Sequence, residues 1–339
     1  MHNEATGRCA SPRAGIARAA PHRFIAVRQV DIMLSTEQFT LLGLAVSAVV
    51  VSASLVEAGV LSIRNRHTDT PFDWHEFMLS LADLVGRKLI ALLPLPLTTA
   101  VLNVVWHYRI HTLALSSVVA VPLLFLVQEF CYYWYHRASH RIRFLWATHA
   151  VHHSPNQLTL STAFRLGWTG RLTGAVLFFT PLVWLGMRPE VVLATLTLNL
   201  LYQFWLHTTW IPKLGWLEYV FNTPSAHRVH HASNLAYLDA NYGGVLVVFD
   251  RLFGTYVEER AEEPCRYGLV TPTRSHNPFV VELEHWASLA RDIASAKNVG
   301  TAAGYLLRPP GWKPGGASET TEDLRRRAGM KTAVAAGAD

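Results

Sequence analysis

Five long apolar runs mark out the chain. The first, from about Gln38 to Ile63, reads QFTLLGLAVSAVVVSASLVEAGVLSI and is apolar all round apart from Glu57. As a helix it is long enough to cross a hydrocarbon core of roughly 30 Å. A second run covers about Leu89 to Trp106, with Pro94 and Pro96 as expected kinks, and a third covers about Leu113 to Tyr133. Two more, about Leu172 to Met187 and Val191 to Leu206, are joined by GMRPE and read as a hairpin. The first of that pair is short, so it either spans tilted in a thinned bilayer or enters only part-way. Together the runs predict an all-α integral membrane helical bundle of four to five apolar helices with a cytosolic, histidine-rich helical cap.

The flanks differ from this body. Residues 1–32 carry five arginines against two acids and no sustained apolar run. They read as a disordered or transit-like extension, or as a start assigned too early with Met33 the true beginning. Residues 33–270 hold the membrane runs and most of the histidines. Within 271–307, Phe279, Leu283, Trp286, Leu289 and Ile293 recur at helical spacing. That suits an amphipathic helix, either on the membrane surface or packed on the cytosolic region. Residues 308–339, rich in Pro, Gly and charge, read as a flexible tail.

Composition agrees with a membrane protein: 50% of the 339 residues are hydrophobic, and the charged share of 16% is low for a soluble domain. The net charge of +6 invites a nucleic-acid reading, but the arginines are scattered or terminal and no nucleic-acid module is legible. Basic residues orient spans instead. If the third run ends in the cytosol, so does the loop with Arg64, Arg66, Arg87 and Lys88, while the opposite loops hold Arg109 and Arg188. Three widely spaced cysteines, Cys9, Cys131 and Cys265, offer neither a disulfide framework nor a Cys-type zinc site.

The third run passes straight into WYHRASHRIRFLWATHAVHHSPN. His136 and His140 are four apart and share a helix face, as do His149, His152 and His153 at spacings of three and four. A second triplet, His227, His230 and His231, follows the hairpin, and His207 sits at the hairpin's end. The hairpin returns the chain to its starting face, so the groups can converge just outside the bilayer. Neutral imidazoles suit iron, zinc, copper and nickel, and nine exceed the four ligands of a structural zinc. Two metals with open positions are the simplest stoichiometry. The zinc-protease pattern His-Glu-x-x-His is absent.

HRASH, HAVHH and HRVHH resemble the three histidine boxes of the fatty acid hydroxylase and sterol desaturase superfamily, membrane enzymes with a non-haem di-iron centre. The resemblance runs from about Glu129 to Tyr256, and more weakly to RPPGWKPGG. STAFR, NLLYQFWLHT, LEYVFNTPSAHRVHHASN and YLDANYGGVLVVFDRLFGTY are most similar to its alkylglycerol monooxygenase branch. The resemblance makes 33–270 a membrane-embedded di-iron hydroxylase domain, with His136, His140, His149, His152, His153, His207, His227, His230 and His231 as ligands of two iron ions. Other branches carry a histidine where this chain has Gln203, which becomes an orienting group or a weak oxygen ligand. Asp239 and Asn241 stand after the last box, placed to orient imidazoles. Glu129 is a further candidate, because an ionisable group inside a span is costly. NYGG reads as a tight turn beside the site.

The implied chemistry is O2-dependent hydroxylation of a lipid C–H bond. Electrons come from outside, from a reduced pterin by the branch or a ferredoxin or cytochrome b5 type donor by the broader family. Two alternatives stay open: a desaturase using the same centre, and a membrane metal transporter or sensor. The latter needs polar residues lining the spans, and nearly all the histidines lie outside them.

Overall fold

The computed structural model describes residues 36–93, 97–113, 120–273 and 275–330. The 1–32 extension and the Met33 start lie outside them. The described residues are helical and contain no strand, only isolated bridges pairing Phe221 with Leu246 and Ala232 with Tyr267.

Helix α1 (Thr36–Arg64) is the first apolar run. Its Thr40–Arg64 portion is the one helix among the described residues long and apolar enough, by length and composition, to cross a membrane. Leu44 and Val49 face outward. Glu57 turns inward, where its carboxylate accepts the Leu160 amide and the Thr208 hydroxyl. A charge in an apolar helix is thereby paired with donors beside His207.

The second run is not one helix. Its first residues finish α2 (Trp74–Ala91), which starts where the Asp73 carboxylate accepts the amides of His75 and Glu76. One side of α2 buries Phe77, Ser80 and Asp83 while Met78, Val85 and Leu89 stay exposed. The rest of the run forms α3 (Leu97–His107), beyond the two prolines. Proline lacks the amide that would continue the ladder. Helix α4 (Ala120–Arg141) carries the third run into the first histidine box without interruption. An extended residue, Ile142, then starts α5 (Arg143–His153).

The fourth run is also broken. Left-handed Gly174 (φ 73°) leads into a 3-10 turn at Ala175–Phe179, and Pro181 opens the short α6 (Thr180–Trp184). Helix α7 (Pro189–Phe204) is 16 residues long, short of the roughly 20 a perpendicular span needs. Length and apolarity therefore support one spanning helix, where the sequence suggested four or five. Helices α3, α4, α6 and α7 nonetheless pack together around Leu102, Leu124, Tyr132, Leu182 and Val192.

Beyond α7 come α8 (Pro224–His230) and α9 (Val248–Leu252). Helix α10 (Pro278–Ala294) packs Val281 against Leu79 of α2 and Val151 of α5, and leaves Phe279, Val280 and Leu283 exposed. It is thus docked on the histidine helix and still apolar outside. After α11 (Val299–Leu307), the segment expected as a tail carries α12 (Thr321–Arg327). There Arg325 donates to the carbonyls of Leu235 and Leu238, and Glu322 pairs with Arg141 at 2.5 Å. Residues 308–330 thereby close over the histidine region.

Candidate metal centre

The nine histidines come from four places: His136 and His140 on α4, His149, His152 and His153 on α5, His207 past α7, and His227, His230 and His231 at α8. All are buried except half-buried His149. They fall into two groups. His136, His140, His149, His153 and His230 offer nitrogens within 4.8 Å of one another, and so do His152, His207, His227 and His231. Each group draws on both the early boxes and the late one. The groups adjoin, with the His153 and His231 rings stacked at 4.4 Å.

Backbone carbonyls set the tautomers. Nδ1 of His136 donates to Tyr242 (2.8 Å), His152 to Arg165 (2.9 Å), His207 to Gln203 (2.8 Å) and His230 to Ala240 (2.9 Å). A carbonyl can only accept, so each of these neutral rings carries its proton on Nδ1 and presents a lone pair at Nε2. The His152 and His207 Nε2 atoms nevertheless face each other at 3.4 Å, and His230 Nε2 is buried without a hydrogen-bond partner. Two opposed lone pairs repel unless a cation lies between them. Nitrogens about 2.1 Å from one ion stand about 3.0–3.4 Å apart at octahedral to tetrahedral angles. The Nε2 pairs along both groups are 3.0–3.4 Å apart. The donor set therefore fits metal ions, one for each group.

Burial pushes the pKa of His149, His152, His153, His227, His230 and His231 well below the usual imidazole range. Taking a charge out of water disfavours the protonated ring, which leaves the neutral form that metals require.

Two cavities meet these rings. One of about 550 Å³ reaches His149, His152 and His207 and is walled by Leu102, Tyr132, Phe179 and Val192. Another of about 360 Å³ reaches His140, His153, His230 and His231, and is closed partly by Pro309, Glu319 and Leu324. The imidazoles thus sit between an apolar cavity on the side of α3, α4 and α7 and a smaller one under the C-terminal segment.

Residues 121–255, enclosing all nine histidines, match the family model for fatty acid hydroxylase. Over that stretch the chain is similar to the fatty acid hydroxylase family. Its homologues include the alkylglycerol monooxygenases of Xenopus tropicalis, 37% identical over 62% of this chain and 47% of the relative, and of Homo sapiens, 39% identical over the same shares. An ornithine lipid hydroxylase of Rhizobium tropici is 34% identical over 40% of this chain and 41% of the relative. The chain spans about half the length of these curated relatives. No solved structure matches it.

Within residues 121–255, the other residues singled out from sequence do different things. Asp239, at φ 54°, lies 3.6 Å from His140 Nδ1 and accepts from Arg141 at 2.9 Å, so it touches a box imidazole. Asn241 does not. Its amide donates to the carbonyls of Ala226 and Val257 and its oxygen accepts the Val257 amide, which ties α8 to the chain after it. Glu129 also misses the imidazoles and instead accepts the amides of Val245 (2.8 Å) and Leu246 (2.9 Å) and the side chain of Asn199. Asn199 accepts from Gln203, whose oxygen takes the Tyr132 hydroxyl at 3.0 Å. The Gln203 oxygen is thus occupied away from the rings, and Gln203 meets His207 through its backbone carbonyl.

This network fixes NYGG. A Cβ on Gly244 would fall 2.4 Å from the Asn199 amide, and one on Gly243 would fall 2.1 Å from the Leu246 carbonyl. Only glycine allows that approach. Asp250 takes the amides of Tyr242 and Gly243 at 2.7 Å, holding the carbonyl that His136 needs.

Sequence reasoning passed over Arg165, Asn199 and Asp250. Arg165 is 1% exposed, and its guanidinium binds Ser80 and Ser154 at 3.0 Å, the Glu76 carbonyl at 2.7 Å and the Glu76 carboxylate. The one available signal was a polar side chain inside an apolar stretch, as at Asn199.

Proposed function

We propose that this chain is a membrane-bound di-iron oxygenase that hydroxylates a C–H bond of a lipid with O2 and electrons from an external donor. The single observation behind this is the pair of imidazole groups with facing lone pairs at the end of an apolar cavity of about 550 Å³. His136, His140, His149, His153 and His230 hold one iron, and His152, His207, His227 and His231 the other. Bound iron supplies O2 activation. The protein fixes the imidazoles through the carbonyls of Tyr242, Arg165, Gln203 and Ala240. It also keeps water from the reacting carbon with Tyr132, Leu102 and Phe179.

One oxygen atom enters the C–H bond and the other leaves as water, which consumes two electrons and two protons from the donor. The alkylglycerol monooxygenases among the relatives favour an alkyl glycerol as the substrate, and a reduced pterin is the donor proposed with it. Hydroxylation beside the ether oxygen gives a hemiacetal that collapses to a fatty aldehyde and glycerol. Domain 33–270 is membrane-embedded through α1 and the packed α3, α4, α6 and α7, with the histidines on the cytosolic side.

The test is product analysis under 18O2 with the iron-loaded protein, a reduced pterin and an alkyl glycerol. Aldehyde release with 18O incorporation is expected. Label in a sterol or acyl lipid instead keeps the hydroxylase and discards the ether substrate. A new double bond without 18O means desaturation. No lipid product with iron in place and any donor refutes the oxygenase.

A further inference from the structure

The two cavities at the histidines are oppositely charged. The apolar one is lined by Arg87, Lys88 and Arg171 and by no carboxylate, whereas the smaller one has Asp239 and Glu319 and neither lysine nor arginine. Lys88 and Arg171 are exposed, and neither joins an ion pair among the described residues. Arg171 reaches the Ala91 carbonyl at 3.5 Å, a weak contact. Arg87 lies 3.9 Å from Asp83, and its Nε has no hydrogen-bond partner. Lys88 and Arg171 are exposed, whereas His152, His207, Leu102, Phe179 and Val192 of the same lining are buried.

A cavity with unpaired cations at its open end, an apolar body and imidazoles at its buried end suits an anionic amphiphile. We propose that it takes a single-chain lipid with a phosphate headgroup. Lys88 and Arg171 hold the phosphate by charge-assisted hydrogen bonds while the alkyl chain lies along the apolar wall. Basic residues that only oriented the helices would have no reason to share one cavity with the imidazoles. The proposal rests on the oxygenase reading for the fate of the lipid, not for its binding.

The test uses the full chain in nanodiscs of neutral lipid at low salt. Hexadecyl phosphate competes with 1-O-hexadecylglycerol, and mass spectrometry counts the lipid retained. The expected result is a preference for the phosphate of about tenfold, the size two ion pairs from exposed side chains give. Lys88→Gln with Arg171→Gln should abolish the preference while metal content and hexadecylglycerol retention stay unchanged. Lys88→Arg with Arg171→Lys should keep it, which separates charge from folding. Equal retention by the wild-type protein, or a preference that survives the Gln pair, overturns the proposal. O2-dependent oxidation is read separately: preference without oxidation supports this site and counts against the oxygenase, and oxidation without preference overturns this site alone.

Discussion

Replacing Arg165 by alanine should damage both the fold and one imidazole group. Its guanidinium makes two bonds to serine hydroxyls at 3.0 Å, one to the Glu76 carbonyl at 2.7 Å and an ion pair with the Glu76 carboxylate, all with 1% of the residue exposed. Deletion leaves Glu76 with the Asn156 amide at 3.0 Å as its remaining side-chain partner. Cutting one half of a buried ion pair costs about 3–5 kcal/mol, because the other charge stays behind without compensation. At about 4 kcal/mol the expected fall in Tm is roughly 6 °C, because a chain this long has an unfolding entropy of about 0.7 kcal/mol per degree. The carbonyl of residue 165, which takes His152 Nδ1 at 2.9 Å, loses its anchor as well. Loosening such a partner lowers metal affinity about 10- to 100-fold. Thermal unfolding in detergent and metal analysis after iron-supplemented growth measure the two effects. Arg165→Met with Glu76→Gln should recover part of the stability, since it leaves no orphan charge, with a coupling above about 1 kcal/mol between the two positions. A loss below about 1 kcal/mol for Arg165→Ala, with metal unchanged, would refute the anchor.

Each group should lose its metal separately: His230→Ala and His152→Ala should each leave about one ion per chain, and the double variant none, by elemental analysis. Full occupancy of the double variant would rule out the nine-histidine centre. Glu129→Ala removes the acceptor of two buried amides and should cost about 2–4 kcal/mol, with Glu129→Gln milder because one carbonyl oxygen remains. Equal unfolding midpoints for the two variants would contradict this. Single cysteines at exposed Glu262 and Glu190 should label from opposite faces of intact cells, Glu190 from outside. Labelling of position 262 with position 190 protected would reverse the proposed orientation, and labelling of both from outside would refute the opposite faces.

The sequence by itself determined what depends on short range. Intervals of three and four put His136 with His140, and His149 with His152 and His153, on common helix faces, while run length marked α1 and α4 and periodicity marked α10. These follow from 3.6 residues per turn, which no distant contact is needed to set. Hydrophobicity alone suggested four or five spans, and length and apolarity support one of them among the described residues. The second run resumes as α3 beyond Pro94 and Pro96, the kinks that the sequence marked, and the fourth is divided at left-handed Gly174 and at Pro181. The division of nine histidines into five and four was not legible either, because His230 joins the box residues of α4 and α5 while His152 leaves its neighbour His153 for His207, His227 and His231. Adjacent residues on a helix point about 100° apart, so which group each one joins is decided by where α8 docks. The same holds for Glu129 and Gln203. Their chemical type made them candidates for the metal, but only the tertiary structure set Asn199 between them and brought the amides of Val245 and Leu246 to Glu129 and the Tyr132 hydroxyl to Gln203. A buried polar group bonds whatever donor folding delivers to it, and these donors lie too far along the chain from Glu129 and Gln203, Asn199 on the helix of Gln203 apart, for spacing to name.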